Sequence, residues 1–174
     1  MANYFNIGKL AAAYGTDGEF ILRHSLGKKT ALKDITAVFV EERKDSFMPY
    51  FIQKAKAKDT ENTYIKLEGI DTREATRILL QKGIYLEEAD FKGLASADAP
   101  LSLLGFKVED KEAGLLGEIE EIIEMPLQIL AKVMFKEKEM LLPLNEQTLL
   151  KVDKKQQIVY LELPDGLLDI YLGK

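Results

Sequence analysis

His24 is the only histidine in a chain that has no cysteine. Zinc needs several nitrogen or sulfur ligands, and a histidine-based catalytic site needs an orienting partner. One imidazole beside Arg23 meets neither need. His24 therefore reads as an ordinary surface or strand-edge residue, and no metal, cofactor or disulfide follows from it. Carboxylates are plentiful, with Glu118, Glu120, Glu121 and Glu124 crowded into one segment. Paired carboxylates do acid–base work or bind hard cations. Here no nucleophile motif accompanies them, so a solvated face or a surface for a basic partner is expected, and no catalytic residue is assigned.

Two further features concern polyanions. The stretch "AAAYGTDGEF" holds Gly15 and Gly18 separated by two residues. It lacks the Lys-Ser/Thr tail of a phosphate-binding loop, and Asp17 would repel a phosphate. A strand-to-strand turn is the better reading, with Tyr14, Gly15, Thr16 and Gly18 as candidate docking residues. Lys54, Lys56 and Lys58 alternate with Ala55 and Ala57. In a strand their ammonium groups share one face at about 7 Å spacing, suited to a nucleic-acid backbone. Tyr50 and Ile52 are expected to continue that face. Lysines also protect an edge strand from aggregation. Arg73 and Arg77 lie one helical turn apart and add to the candidate RNA-binding set.

The elements that must carry these residues are mostly strands. The chain has 174 residues, enough for two small domains. "YFNIGKLAAAY" and "EFILRHSL" flank the glycine turn and suit a hairpin. "ITAVFVEE", "PYFIQKAKAK" and "TYIKLEG" are further strand candidates. "DTREATRILLQKG" reads as a three-turn helix: Asp71 as N-cap, Glu74 in a capping box, Ala75, Ile78 and Leu79 on one face, and Gly83 as the stop. Five or six strands with one short helix and short connections suggest a small closed barrel over residues 1–88. Residues 89–100 are poor in large apolar side chains and read as a linker. Strands resume over 101–174, with hairpins around Asp110–Gly114 and Lys136–Lys138. The segment "DGLLDIYLG" reads as a helical turn or closing strap, with Leu167 and Leu168 as a plug.

Charge separates the halves. Residues 1–88 carry a net +1 and residues 89–174 a net −6, giving −5 overall. An acidic module favours basic partners and repels phosphate. The start "MANYFNIGK" lacks the layout of a secretion signal, and no apolar run approaches the length of a membrane helix. A soluble cytoplasmic protein, a monomer, is the expectation.

Together these segments resemble the ribosome maturation factor RimM family. "IGKLAAAYGTDGEFIL" resembles its first motif, and "GIDTREATRILLQKGIYL" its next. "LLGFKVED", "GLLGEIEEII", "MLLPL" and "VYLELPDGLLDIY" resemble the barrel shared with photosynthetic reaction-centre proteins, the PRC barrel. The resemblance implies a mainly β fold of two small barrels, the second PRC-type. It implies a ribosome assembly factor with no enzymatic activity. Such a factor binds the immature 30S subunit and a basic ribosomal protein of its head, supporting head maturation and 16S rRNA processing. Two departures stand out: Asp17 replaces a usually basic residue, and Asp98-Ala99 occupy the places of tandem aromatics. Leu103, Leu104 and Phe106 are the expected substitutes, beside the acidic residues Glu118, Glu120, Glu121 and Glu124. A non-ribosomal scaffold reusing the second barrel is the alternative.

Overall fold

The structure is a computed structural model that describes residues 3–96 and 99–172. The chain divides into two compact units, residues 1–102 and 103–174.

In the first unit, β1 (Tyr4–Tyr14), β2 (Glu19–His24), β3 (Ala37–Arg43), β4 (Ser46–Ala57), β5 (Asn62–Leu67) and β6 (Gly83–Glu87) form a closed barrel. The order is β1-β2-β5-β4-β3-β6, and β6 pairs back onto β1. Closure leaves no free sheet edge. Leu10, Phe20, Leu22, Val38, Val40, Ile65, Leu67, Ile84 and Leu86 point inward and are buried. Each alternates with an outward neighbour, as the period of two requires. Bulges in β1, at Asn6–Gly8 and Leu10–Ala12, bend that strand around the barrel.

The expected three-turn helix is instead a single 3-10 stretch, Glu74–Ile78. Thr76 within it and Leu79 just after it are buried, three apart, as 3-10 geometry favours. Ile78, assigned to the apolar face, is 72% exposed. Asp71 does not cap it. Its carboxylate lies 2.9 Å from the Lys66 amine, which is buried and also donates to the Ile70 carbonyl. Thr72 Oγ1 accepts the Ala75 N–H instead. The left-handed residue after the stretch is Gln81, and Gly83 already belongs to β6. The cause is electrostatic: a buried ammonium needs a carboxylate more than a short helix needs a cap.

Residues 89–100, read as a linker, are tied to the first unit where they are described. After α1 (Glu88–Phe91), Phe91 is buried edge-on against Phe5 at 5.4 Å. Further on, the Ser96 N–H donates to the Leu26 carbonyl.

The second unit is a six-stranded sheet. Its strands are β7 (Lys107–Asp110), β8 (Gly114–Met125), β9 (Gln128–Phe135), β10 (Lys138–Pro143), β11 (Leu149–Asp153) and β12 (Ile158–Leu161), in the order β10-β9-β8-β7-β12-β11. β8 is shared: residues 114–118 pair with β7 and 119–125 with β9, with a bulge between Ile119 and Glu121. Gly117 stands at the bend with φ +141°, and a Cβ there would lie 2.8 Å from the Met134 carbonyl oxygen. The β9–β10 hairpin turns on Lys136 and Glu137, both with positive φ.

Asp110 fastens the end of the chain. Its Oδ2 accepts the Glu112 and Ala113 N–H groups, and its Oδ1 accepts the Leu163 N–H at 3.0 Å. Gly166, at φ +83°, then turns the chain into α2 (Leu167–Leu172). Leu167 and Leu168 are half-buried rather than a sealed plug, and the Tyr171 hydroxyl donates to the Leu141 carbonyl of β10.

Candidate functional site

The outer face of the first barrel gathers most of the expected docking residues. The turn Gly15–Gly18 closes the β1–β2 hairpin, with Tyr14 opposite Glu19. Gly18 has φ +87°, and a Cβ on it would sit 2.2 Å from the Ile70 carbonyl oxygen. Only glycine lets the turn pack so closely on the 69–71 loop. Arg73 Nη1 donates to the Gly15 carbonyl at 2.9 Å, so Arg73 secures the turn rather than reaching into solvent. Thr16 and Asp17 are exposed at its tip.

Register then builds two outward rows. Tyr14, Glu19, Lys66 and Lys54 lie opposite one another across β1, β2, β5 and β4. Ala12, Ile21, Tyr64 and Lys56 form the next row. The Tyr14 and Tyr64 rings meet diagonally, with centroids 4.4 Å apart and planes at 39°. With Glu19, Lys54 and Lys56 they line a groove of about 230 Å³. Tyr50 and Ile52 do not continue this face. The bulge between Ile52 and Lys54 inverts the alternation, so Ile52 lies opposite Leu67 and Tyr50 opposite Val38, both buried.

The three lysines are not equivalent. Lys54 pairs with Glu19 at 3.1 Å, and Lys58 with Asp59 at 3.5 Å. The Asp59 carboxyl is held below its ordinary range by the Glu61 N–H, with Asn62 and Lys58 adding to the effect. Lys56 has no carboxylate partner among the described residues. Arg77 lines a second, neighbouring groove of about 360 Å³ with Ala11–Ala13, Arg73, Glu74, Thr76 and Leu80.

His24 is buried rather than at the surface. Its Nδ1 accepts the Leu26 N–H, and its Nε2 meets no protein partner. Burial lowers its pKa, opposed in part by Asp59 and Glu61. Among the described residues no group of three or more His, Asp or Glu side chains is placed to hold a metal ion. No helix among them is long and apolar enough to cross a membrane.

In the second unit the expected partner-binding residues divide. Leu104 and Phe106 are buried and belong to the core, because the β7 entry needs apolar anchors. Leu103 is half-buried. Asp98 lies outside the described residues. Glu121 pairs with Lys132 at 3.3 Å, and Glu139 approaches the same amine at 3.8 Å. Burial pulls the Lys132 pKa down, but Glu121 and Glu139 outweigh it and the net shift is upward. Glu118 lies opposite Lys107 across β7–β8. The acidic run thus has lysines across from it, and Glu118, Glu120 and Glu124 are its exposed carboxylates without an ion pair among the described residues.

Tyr64, Glu19 and Lys66 were not singled out from sequence. The signal was the register of the β4–β5 hairpin around Asp59–Asn62, which sets Tyr64 against Lys56.

A sequence-family model described as the RimM N-terminal domain matches residues 5–91, and one described as the RimM PRC barrel domain matches residues 101–167. The chain belongs to the RimM family. The ribosome maturation factor RimM of Flavobacterium psychrophilum is 28% identical over 169 residues, covering 97% of each chain. That of Phocaeicola vulgatus is 35% identical over 130 residues, covering 70% of this chain and 73% of its own. That of Caldanaerobacter subterraneus is 29% identical, covering 96% of this chain and 100% of its own. A crystal structure of a 16S ribosomal RNA processing protein RimM from Pseudomonas aeruginosa shares 22% identity with a TM-score of 0.42, covering 93% of this chain and 98% of that one.

Proposed function

We propose that this chain binds the immature 30S subunit and a basic ribosomal protein of its head, and so supports head maturation and 16S rRNA processing in the cytoplasm. The supporting observation is the outward aromatic and lysine face of the first barrel, where Tyr14 and Tyr64 meet beside the unpaired Lys56. In this reading the Gly15–Gly18 turn and that face dock on the subunit. The second unit, through Glu120 and Glu124, attracts the basic protein. No bond is made or broken. Binding stabilises one assembly state relative to another, by as much as its affinity differs between them.

Sucrose-gradient fractionation of a lysate containing the tagged protein tests the proposal. Enrichment with free small subunits and absence from translating ribosomes is expected. Tyr14→Ala is expected to weaken that association while the fold persists. Sedimentation only at the top of the gradient, with normal rRNA ends in a deletion strain, would favour a non-ribosomal scaffold instead. Affinity for the basic protein should fall as salt rises, since exposed charges are screened. Salt-insensitive binding would replace the charge argument with an apolar contact.

A further inference from the structure

The Tyr14–Tyr64 groove has a more specific chemistry than general attraction to RNA. Both rings stand on the outside of a closed barrel, where nothing in the core requires them. Tyr14 is 45% exposed although it is a large ring at the end of a strand. The small side chain of Ala55, between Lys54 and Lys56, is the remaining part of the groove lining. At about 230 Å³ the groove is smaller than a pocket for a drug-sized ligand. It suits one planar ring system, open to solvent along one side. Its rim carries two lysines: Lys56 has no carboxylate partner among the described residues, and Lys54, 68% exposed, pairs with the more covered Glu19 and can turn its amine outward to a second anion.

From this we infer that the groove holds one unpaired nucleotide of single-stranded RNA, its base against the Tyr14–Tyr64 pair and its flanking phosphates on Lys56 and Lys54. Aromatic faces interleaved with cations are the arrangement by which single strands are held. A duplex keeps its bases stacked inside and is recognised by shape across its grooves, which this small recess does not match. A basic peptide would be repelled by Lys54 and Lys56. Lys58 contributes little, because it lies outside the groove lining and pairs with Asp59. The inference rests on the proposal that the first unit docks on the immature subunit, and it names what that face would recognise there: a segment whose bases have yet to pair.

The test uses the full chain and fluorescein-labelled oligouridylate and oligoadenylate, with an RNA duplex of equal length as comparison, read by fluorescence anisotropy. Single strands are expected to bind more tightly than duplex. Tyr64→Leu and Tyr14→Leu are each expected to weaken single-strand binding by between about 5-fold and about 150-fold, the range for loss of one base stack. Tyr64→Phe keeps the ring and should retain affinity. Lys56→Gln should reduce the slope of log affinity against log salt by about 0.7, one single-strand phosphate contact. Should Tyr64→Leu unfold, Tyr64→Phe and Lys56→Gln decide alone: an unchanged salt slope overturns the assignment. Equal affinity for duplex, or leucine variants that bind as wild type, also overturn it. Persistent sedimentation with small subunits alongside absent oligonucleotide binding would refute this inference and leave the docking proposal standing.

Discussion

Asp110→Ala should loosen the second unit from its chain end inward. The carboxylate accepts three backbone N–H groups: Glu112 and Ala113 within the β7–β8 turn, and Leu163 fifty-three residues away. Asp110 itself is 8% exposed, so these bonds are made largely out of water. A hydrogen bond to a charged group is worth about 1.5–3 kcal/mol net. Glu112 and Ala113 are exposed and can turn their N–H groups to solvent after truncation. Leu163 is half-buried and recovers less. The expected loss is therefore about 2–4 kcal/mol, dominated by the Leu163 bond, and well short of three full bonds. Asp110→Asn keeps one acceptor but turns an NH₂ toward a donor, at a cost of about 1.5–3 kcal/mol.

Acid sharpens the same test. Burial raises the Asp110 pKa, but the N–H groups of Ala113, Leu163, Glu112 and Lys111 outweigh it, so the net shift is downward from 3.8. The unfolded chain then binds the proton more readily than the folded one. The carboxylate's contribution is complete above the unfolded value and is lost as pH falls through the folded one. Asp110→Asn should lack this part of the acid sensitivity. Amide hydrogen exchange read separately at Ile119 and Val159, with Leu22 and Ile65 as first-unit controls, measures the effect. A fall below about 1 kcal/mol in the second-unit opening energy would refute the reasoning, because the three bonds would then be replaceable by water.

Gly18→Ala places a Cβ 2.2 Å from the Ile70 carbonyl at φ +87°. It should destabilise the first unit by more than the roughly 1 kcal/mol of an unstrained change, seen as a lowered first-unit unfolding transition. Burial depresses the His24 pKa below 6.5, so the first unit should lose stability as pH falls from that value. His24→Leu should flatten this dependence in pH-resolved urea titrations, while sacrificing the acceptor for the Leu26 N–H. Replacing Lys136-Glu137 with Asn-Gly suits two left-handed turn residues and should stabilise the second unit by about 0.5–1 kcal/mol, measured by its urea midpoint.

Much of this fold is written locally. The strand segments, the hairpins around Gly15–Gly18 and Lys136–Lys138, and the acidic bias of the second half all follow from side-chain type and a period of two. The same holds for the exclusion of thiol chemistry. Local rules misread other residues for identifiable reasons. Asp71 and Glu74 have the spacing of a capping box, yet a lysine buried five residues earlier claims the aspartate. His24 looks like an edge residue until β1 and β5 close over β2 on either side. Leu104 and Phe106 look available until the second unit needs them as core.

Tertiary structure alone decided the candidate site. Sequence places Tyr14 beside a turn and Lys56 in an alternating strand, 42 residues from each other. Their meeting around Tyr64 depends on the register of two hairpins and on a single bulge at Ile52–Lys54. One residue of slip would turn Lys56 and Tyr64 into the barrel and bring Ala55 and Ile65 out. Alternation is a property of neighbouring residues. Which face is outward, and which ring stands across from which lysine, is a property of how the whole barrel closes.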